Sequence, residues 1–153
     1  DSRVLDSLVT VGRLDEATTG LLIITNDGSL VNDIANPSKN IGKTYLLKVS
    51  KRITPELISS IRTGVSIDIT RNEIVEEYLT MPAEVTKISD YSIEVTIFEG
   101  KKRQVRRMVE SLGNRVLELH RTSIGGLNLD TYSLNSGEYK KESREVIMER
   151  IRK

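Results

Sequence analysis

The chain has no cysteine and a single histidine, His120, so any chemistry it performs must come from carboxylates, hydroxyls, lysine or arginine. That composition excludes thiolate zinc sites, iron–sulfur clusters and cysteine nucleophiles, and it leaves little for an imidazole metal cage. A serine triad would need His120 together with a Gly-x-Ser-x-Gly elbow, and no such elbow is present. His120 lies in a stretch of strand-like alternation and reads as a structural residue. Two segments nevertheless break local rules. Lys101-Lys102-Arg103 opens a helical pattern at the end where the helix dipole disfavours cations. Free backbone N–H groups at a helix start bind phosphate, and added cations would make an anion site there, although a solvated lysine-rich turn has the same composition. The other segment is Gly12-Arg13-Leu14-Asp15-Glu16-Ala17-Thr18-Thr19-Gly20, a polar stretch bounded by glycines that leads straight into an apolar run. Loops fixed by rigid elements are where functional side chains gather. An aspartate there also serves as an ordinary turn or cap residue, and spacing alone does not separate the two roles.

The charges are unevenly spread. Between residues 101 and 121 the cations Lys101, Lys102, Arg103, Arg106, Arg107, Arg115 and Arg121 face only Glu110 and Glu118, so this stretch is +5 within a chain of net charge +1. A basic stretch on a nearly neutral protein marks a defined surface for a polyanion. On a helical wheel Val105, Met108, Val109 and Leu112 form one apolar stripe, Arg103 and Arg107 point away from it, and Arg106 lies at its flank, best placed to line a cleft. The alternative for Arg106 is to run its stem along the helix boundary with its head in water.

The elements that must position these residues follow from periodicity and turn residues. Residues 3–9 look like the end of a helix, and 20–25 reads as a strand buried on both faces, closed by the turn Asn26-Asp27-Gly28. A short helix over 29–36 stops at Pro37, and 43–50 alternates as a strand with Tyr45, Leu47 and Val49 on one face. Thr54-Pro55-Glu56 starts a helix that Gly64 ends. Residues 65–77 look irregular and acidic. The runs 83–88 and 92–98 flank Ser89-Asp90-Tyr91 as a hairpin would, the Val105 helix closes at Gly113, 116–124 returns to strand character, and 143–152 is a last helix. Hairpins mixed with helices predict an α+β domain around a largely antiparallel or mixed sheet. With 153 residues, 37% hydrophobic and 29% charged, one soluble domain is expected. No apolar run nears the roughly 20 residues of a membrane span, and the lack of a secretory signal and of cysteine fits the cytoplasm.

Taken together, the unusual segments resemble the pseudouridine synthase family, in its ribosomal small-subunit and related large-subunit branch. Val11-Gly12-Arg13-Leu14-Asp15, continuing through Thr19-Gly20-Leu21-Leu22 and Thr25-Asn26-Asp27-Gly28, is similar to the motif that carries the family's catalytic aspartate. Lys43-Thr44-Tyr45 is similar to its tyrosine motif, and Glu99-Gly100-Lys101-Lys102-Arg103-Gln104-Val105-Arg106-Arg107-Met108 to its basic motif. Residues 117–129, with Arg121 and Ile124-Gly125-Gly126, match its closing segment. The resemblance implies an α+β domain with a long, mixed, mainly antiparallel sheet, flanking helices and a basic cleft. It also implies conversion of a uridine in ribosomal RNA, or in a ribosomal subunit precursor, to pseudouridine, by a monomer with neither metal nor cofactor; the alternative is a non-catalytic RNA-binding or ribosome-assembly module that keeps the same fold. Asp15, Tyr45 and Arg106 would be the catalytic set, with Arg13, Lys101, Lys102, Arg103, Gln104, Arg107 and Arg121 on RNA. A small N-terminal RNA-binding domain and an early strand with a lysine-proline-glycine motif, usual in the family, do not occur in this sequence, so residues 1–153 are expected to be the catalytic domain. Asn36 stands where the family usually has histidine. Features of both the small-subunit and the large-subunit enzymes are present, and the choice of target stays open.

That chemistry suits the residue types. Breaking the N1–C1′ bond, turning the base and rejoining it through C5 involves no net redox change and no hydrolysis. An ionised carboxylate suffices, either as a nucleophile or as the base that removes a ribose proton. Arg106 would supply the countercharge, Tyr45 a flat face and a hydroxyl for an extruded uracil, and the lysines and arginines a grip on phosphates.

Overall fold

The computed structural model describes residues 2–153. In chain order the elements are α1 (Ser2–Asp6), β1 (Val9–Thr10), β2 (Thr18–Gly20), β3 (Ile24–Thr25), α2 (Gly28–Ala35), β4 (Lys43–Val49), α3 (Pro55–Thr63), β5 (Ser66–Arg71), β6 (Ile74–Leu79), β7 (Glu84–Ser89), β8 (Ser92–Ile97), α4 (Gln104–Ser111), β9 (Val116–Ile124), β10 (Leu127–Asn128) and α5 (Arg144–Ile151). The main sheet runs β10-β9-β4-β8-β7, with β2 laid parallel against β9 and every other pairing antiparallel. Two small antiparallel pairs, β1–β3 and β5–β6, stand apart from it. The α+β class with a mixed, mainly antiparallel sheet and flanking helices is thus the one the sequence predicts. Among the described residues no helix is long and apolar enough to cross a membrane.

Local chemistry explains most of the boundaries. The Asp27 carboxylate accepts from the backbone N–H groups of Ser29 and Leu30 and starts α2. That helix gives way at Asn36, whose side chain accepts from Ser38 N–H at 3.0 Å to begin the short turn Pro37–Lys39. The asparagine that departs from the family's histidine is therefore a cap. Thr54 Oγ1 accepts from Leu57 N–H at 3.1 Å ahead of Pro55, as the sequence predicts for α3. At the other end of the chain the Arg144 guanidinium holds α5 to α2, at 2.5 Å from the Asp27 carboxylate and 2.6 Å from that of Asp33.

Three expectations are corrected. Residues 3–9 are helical only through Asp6, after which Val9 already pairs with Thr25. The run 20–25 is not one strand. Gly20 takes a φ of 116°, open to glycine, and a Cβ there would press into the Arg121 backbone. Leu21 N–H makes a last bond to Arg121 C=O at 2.8 Å, and two residues later Ile23 C=O accepts from Val11 N–H at 2.8 Å. The run thus leaves the main sheet and pairs with β1, burying Leu21 and Ile23 while Ile24 is exposed. Residues 65–77 are not irregular: they form the β5–β6 hairpin, turned by Asn72 and Glu73, both left-handed, with Val65, Ile67 and Ile69 alternating inward.

Two apolar clusters result. One packs Leu47 and Val49 of β4, Ile93, Val95 and Ile97 of β8, and Leu119 of β9 against Leu57 and Ile61 of α3 and Val105, Met108 and Val109 of α4. The second joins Val11, Leu21 and Ile23 to Leu30 and Ile34 of α2, Leu127 of β10, and Met148 and Ile151 of α5. The loop carrying Asp15 spans the two, from Val11 in the second to Thr18 beside the first. Gly20→Ala should therefore cost about 1–3 kcal/mol in urea unfolding, since it forces a side chain into both a left-handed backbone and a closed space. Wild-type stability in that variant would mean that the division of the run does not depend on Gly20.

Candidate active site

Helix α4 positions the site. Its apolar stripe is sunk in the first cluster, and Arg106, at the edge of that stripe, has only 9% of its side chain exposed. A buried guanidinium needs oxygen acceptors. Arg106 Nη2 donates to Ala17 C=O at 3.0 Å and to Thr18 Oγ1 at 3.3 Å, while Nε stands 3.9 Å from Asp15 Oδ2. Thr18 N–H donates to Asp15 C=O at 2.9 Å, closing the turn that presents the aspartate. The Asp15 side chain remains 33% exposed. An accessible carboxylate thus faces a cation that is itself fixed in place and largely out of water.

Strand register brings further residues to the same face. Directly paired residues of neighbouring strands share a face. Thr18 of β2 pairs with Leu119, Leu119 with Leu47, and Tyr45 with Arg121, which puts Tyr45, half-buried, on the α4 side of the sheet. Arg121 is only 2% exposed, and its Nε donates to Leu21 C=O at 2.8 Å. Its Nη2 is buried and makes no hydrogen bond to a described residue. Lys43, two residues before Tyr45, has its pKa pushed below that of an ordinary lysine by burial and then by the Arg121 charge. His120 Nδ1 pairs with Thr19 Oγ1 at 2.7 Å across β9 and β2, in keeping with a structural place.

The remaining expected RNA contacts divide. Arg13, Lys102 and Arg103 are exposed, and Arg103, left-handed at φ 54°, precedes α4 without forming a side-chain cap. Lys101 Nζ lies 4.8 Å above the Tyr78 ring, and Arg107 Nη1 donates to Asp68 C=O at 2.7 Å. Gln104 and Arg121 are both buried. Gln104, 3% exposed, donates from Nε2 to Glu99 Oε2 at 3.0 Å and accepts from Lys101 N–H at 3.1 Å. Glu99, buried as well, also accepts from Met81 N–H at 2.6 Å and from the Tyr78 hydroxyl. This latch between β6, the segment after β8 and the start of α4 is not legible in the sequence, where Glu99 stands two residues before a run of cations and its partners Tyr78 and Met81 lie 21 and 18 residues away. Among the described residues no three His, Asp or Glu side chains gather as metal donors.

A family model described as RNA pseudouridylate synthase matches residues 2–111. The ribosomal small subunit pseudouridine synthase A of Vibrio vulnificus is 40% identical over 149 residues, covering 96% of this chain and 61% of the relative. The protein of that name from Escherichia coli is 37% identical over 147 residues, again covering 96% and 61%. The chain thus spans about 61% of the length of these curated relatives. A crystal structure of a pseudouridylate synthase superposes with a TM-score of 0.86 at 34% identity, covering 99% of this chain and 62% of that one. The structure of human RNA pseudouridylate synthase domain containing 1, at 16% identity and a TM-score of 0.54, shares the fold over 96% of this chain and 81% of its own.

The latch generates a pH dependence. The hydrogen bond to Glu99, then burial, raises the Tyr78 hydroxyl from 10.0 to about 12. Because the folded pKa lies above the unfolded one, the stability this bond contributes is present below pH 10 and is lost as pH rises through about 12. Denaturant unfolding of wild type and Tyr78→Phe should show the wild type more stable at neutral pH, with the gap closing across that window. A gap that stays constant to pH 12 would remove the latch as the source.

Proposed function

Because the chain belongs to the RNA pseudouridylate synthase family, we propose that it converts a uridine of ribosomal RNA to pseudouridine, with Asp15 as the reacting carboxylate and no cofactor. The observation that carries this reading is the half-open Asp15 carboxylate, 3.9 Å from a guanidinium anchored independently on Ala17 and Thr18. The names of the relatives, ribosomal small subunit pseudouridine synthase A, favour small-subunit RNA as the target. In this reading residues 1–153 act as the catalytic domain of a monomeric cytoplasmic enzyme that meets ribosomal RNA or a subunit precursor.

The reaction balances without outside reagents. The N1–C1′ bond breaks, the base turns, C1′–C5 forms, the proton on C5 leaves and N1 gains one. Asp15 acts either by forming a transient covalent bond or by taking a ribose proton, and either role needs it ionised beside a target nucleotide drawn out of its stack. Arg106 keeps that negative charge oriented, and its own anchoring means that it need not reorganise as the charge is consumed. Tyr45 offers a ring face to the extruded uracil and a hydroxyl to carry a proton. Arg13, Lys101, Lys102, Arg103 and Arg107 hold phosphates, which set register without reading bases.

Two measurements test the assignment. Asp15→Asn keeps size and hydrogen-bonding reach but loses charge and basicity, so pseudouridine formation should fall by about 10⁴-fold or more, with thermal melting and RNA affinity near wild type. Substantial modification by that variant would sink the catalytic role. Arg106→Ala should lower the single-turnover rate at saturating enzyme more than it lowers affinity, whereas Lys101→Ala combined with Lys102→Ala should do the reverse. A wild-type rate in Arg106→Ala would take Arg106 out of the site.

A further inference from the structure

Beside α4, on the flank away from Asp15, a groove of about 200 Å³ opens between the end of the β5–β6 hairpin and the start of the helix. It is lined by Ile69, Thr70, Arg71, Lys101, Lys102 and Arg107, so that four of six lining residues are cations and none is an acid. We propose that this groove grips a backbone phosphate of single-stranded RNA, with Arg71 of the hairpin as a phosphate ligand. The proposal rests on RNA being the partner and is independent of what Asp15 does.

Two of the four cations, Lys101 and Arg107, are held without being neutralised, and Arg71 and Lys102 are exposed. Among the described residues none of the four forms an ion pair, and the contacts that fix Lys101 and Arg107 are neutral: the Tyr78 ring under Lys101 and the Asp68 carbonyl that accepts from Arg107. The nearest buried carboxylate, Glu99, has its oxygens taken by Tyr78, Met81 and Gln104. The hairpin's own acids, Asp68, Glu73, Glu76 and Glu77, are exposed and do not line the groove. Like charges collected in this way repel one another, and an anion seated among them relieves that repulsion. At the start of α4 the Gln104 N–H donates to Lys101 C=O at 3.0 Å, and Arg103 places no side-chain cap on the N–H groups that follow, which adds to the same field.

The two flanks of α4 define the path of the strand. Arg106 reaches toward Ala17 and Thr18, while Arg107 and Ser111 reach to the backbone of Asp68 and Ser66 on β5. A helix is about 10 Å across, so a strand passing over the start of α4 meets Asp15 on one side and the groove on the other. The hairpin thereby does more than cover the core: it supplies the outer wall of the groove.

The test is the salt dependence of binding to a labelled single-stranded oligouridylate by the full chain, for wild type, Arg71→Ala, Arg71→Lys and, as a control outside the groove, Lys141→Ala. Arg71 is exposed, so thermal melting of its variants should match wild type. Arg71→Ala should weaken binding several-fold at low salt and make the slope of log affinity against log salt shallower by roughly 0.7, the value for one phosphate contact on a single strand. Arg71→Lys should restore most of both, and Lys141→Ala should leave both unchanged. Wild-type affinity and slope in Arg71→Ala would overturn the proposal, as would an equal loss in Lys141→Ala, which would reduce the effect to net charge. If Arg71→Ala shows the loss while the wild type makes no pseudouridine, the groove stands and the catalytic reading falls.

Discussion

A guanidinium taken out of water must find oxygens, and Arg106 finds them in the loop that ends at β2. Much of the site's geometry follows from that requirement. Because a carbonyl and a hydroxyl accept the direct hydrogen bonds, the arginine is satisfied without clamping the Asp15 carboxylate, which stays at 3.9 Å and partly open. Had Asp15 been its only partner, the pair would have been a buried structural salt bridge, costly to break and poorly suited to turnover. Anchoring the cation on neutral groups leaves the anion available.

Helix α4 then acts as a divider whose successive residues serve different neighbours. Gln104 turns inward to the Glu99 carboxylate, Val105 enters the core, Arg106 goes to the Asp15 loop and Arg107 to the hairpin. A period near 3.6 residues makes this possible, since consecutive side chains leave the axis about 100° apart. The first cluster fixes the rotation of the helix through Val105, Met108 and Val109, and the rotation in turn decides which arginine meets which surface. A change in the core would therefore be felt at Asp15 without touching it.

Much of this was legible in the sequence because it depends on local signals. The stripe of Val105, Met108 and Val109, the Thr54 cap and the 92–98 strand obey period and capping rules that operate within a few residues. Arg106 at the edge of its stripe was legible for the same reason. What escaped depends on residues far apart. The run from Gly20 to Thr25 is uniformly apolar, and nothing within it says that its hydrogen bonds go first to Arg121 and then to Val11. Gln104 stands among cations in the sequence, and only the fold brings Glu99, Met81 and Tyr78 around it. Arg121 likewise counts as one more surface charge until β2 and β4 close over it. The β5–β6 hairpin, by contrast, carries a local signal, because Val65, Ile67 and Ile69 alternate.

The wide separation of the partners also bears on how the site is assembled. Arg106 meets Ala17 across 89 residues of chain, and Arg121 meets Leu21 across 100. Contacts of such separation cost loop-closure entropy before they repay anything, so they belong to the late, slow part of folding. A chain made from its N-terminus exposes Asp15 long before α4 exists to receive it. The carboxylate acquires its orienting cation only when the sheet, the helix and both apolar clusters have closed, so a growing or half-folded chain carries the aspartate without the arrangement that orients it.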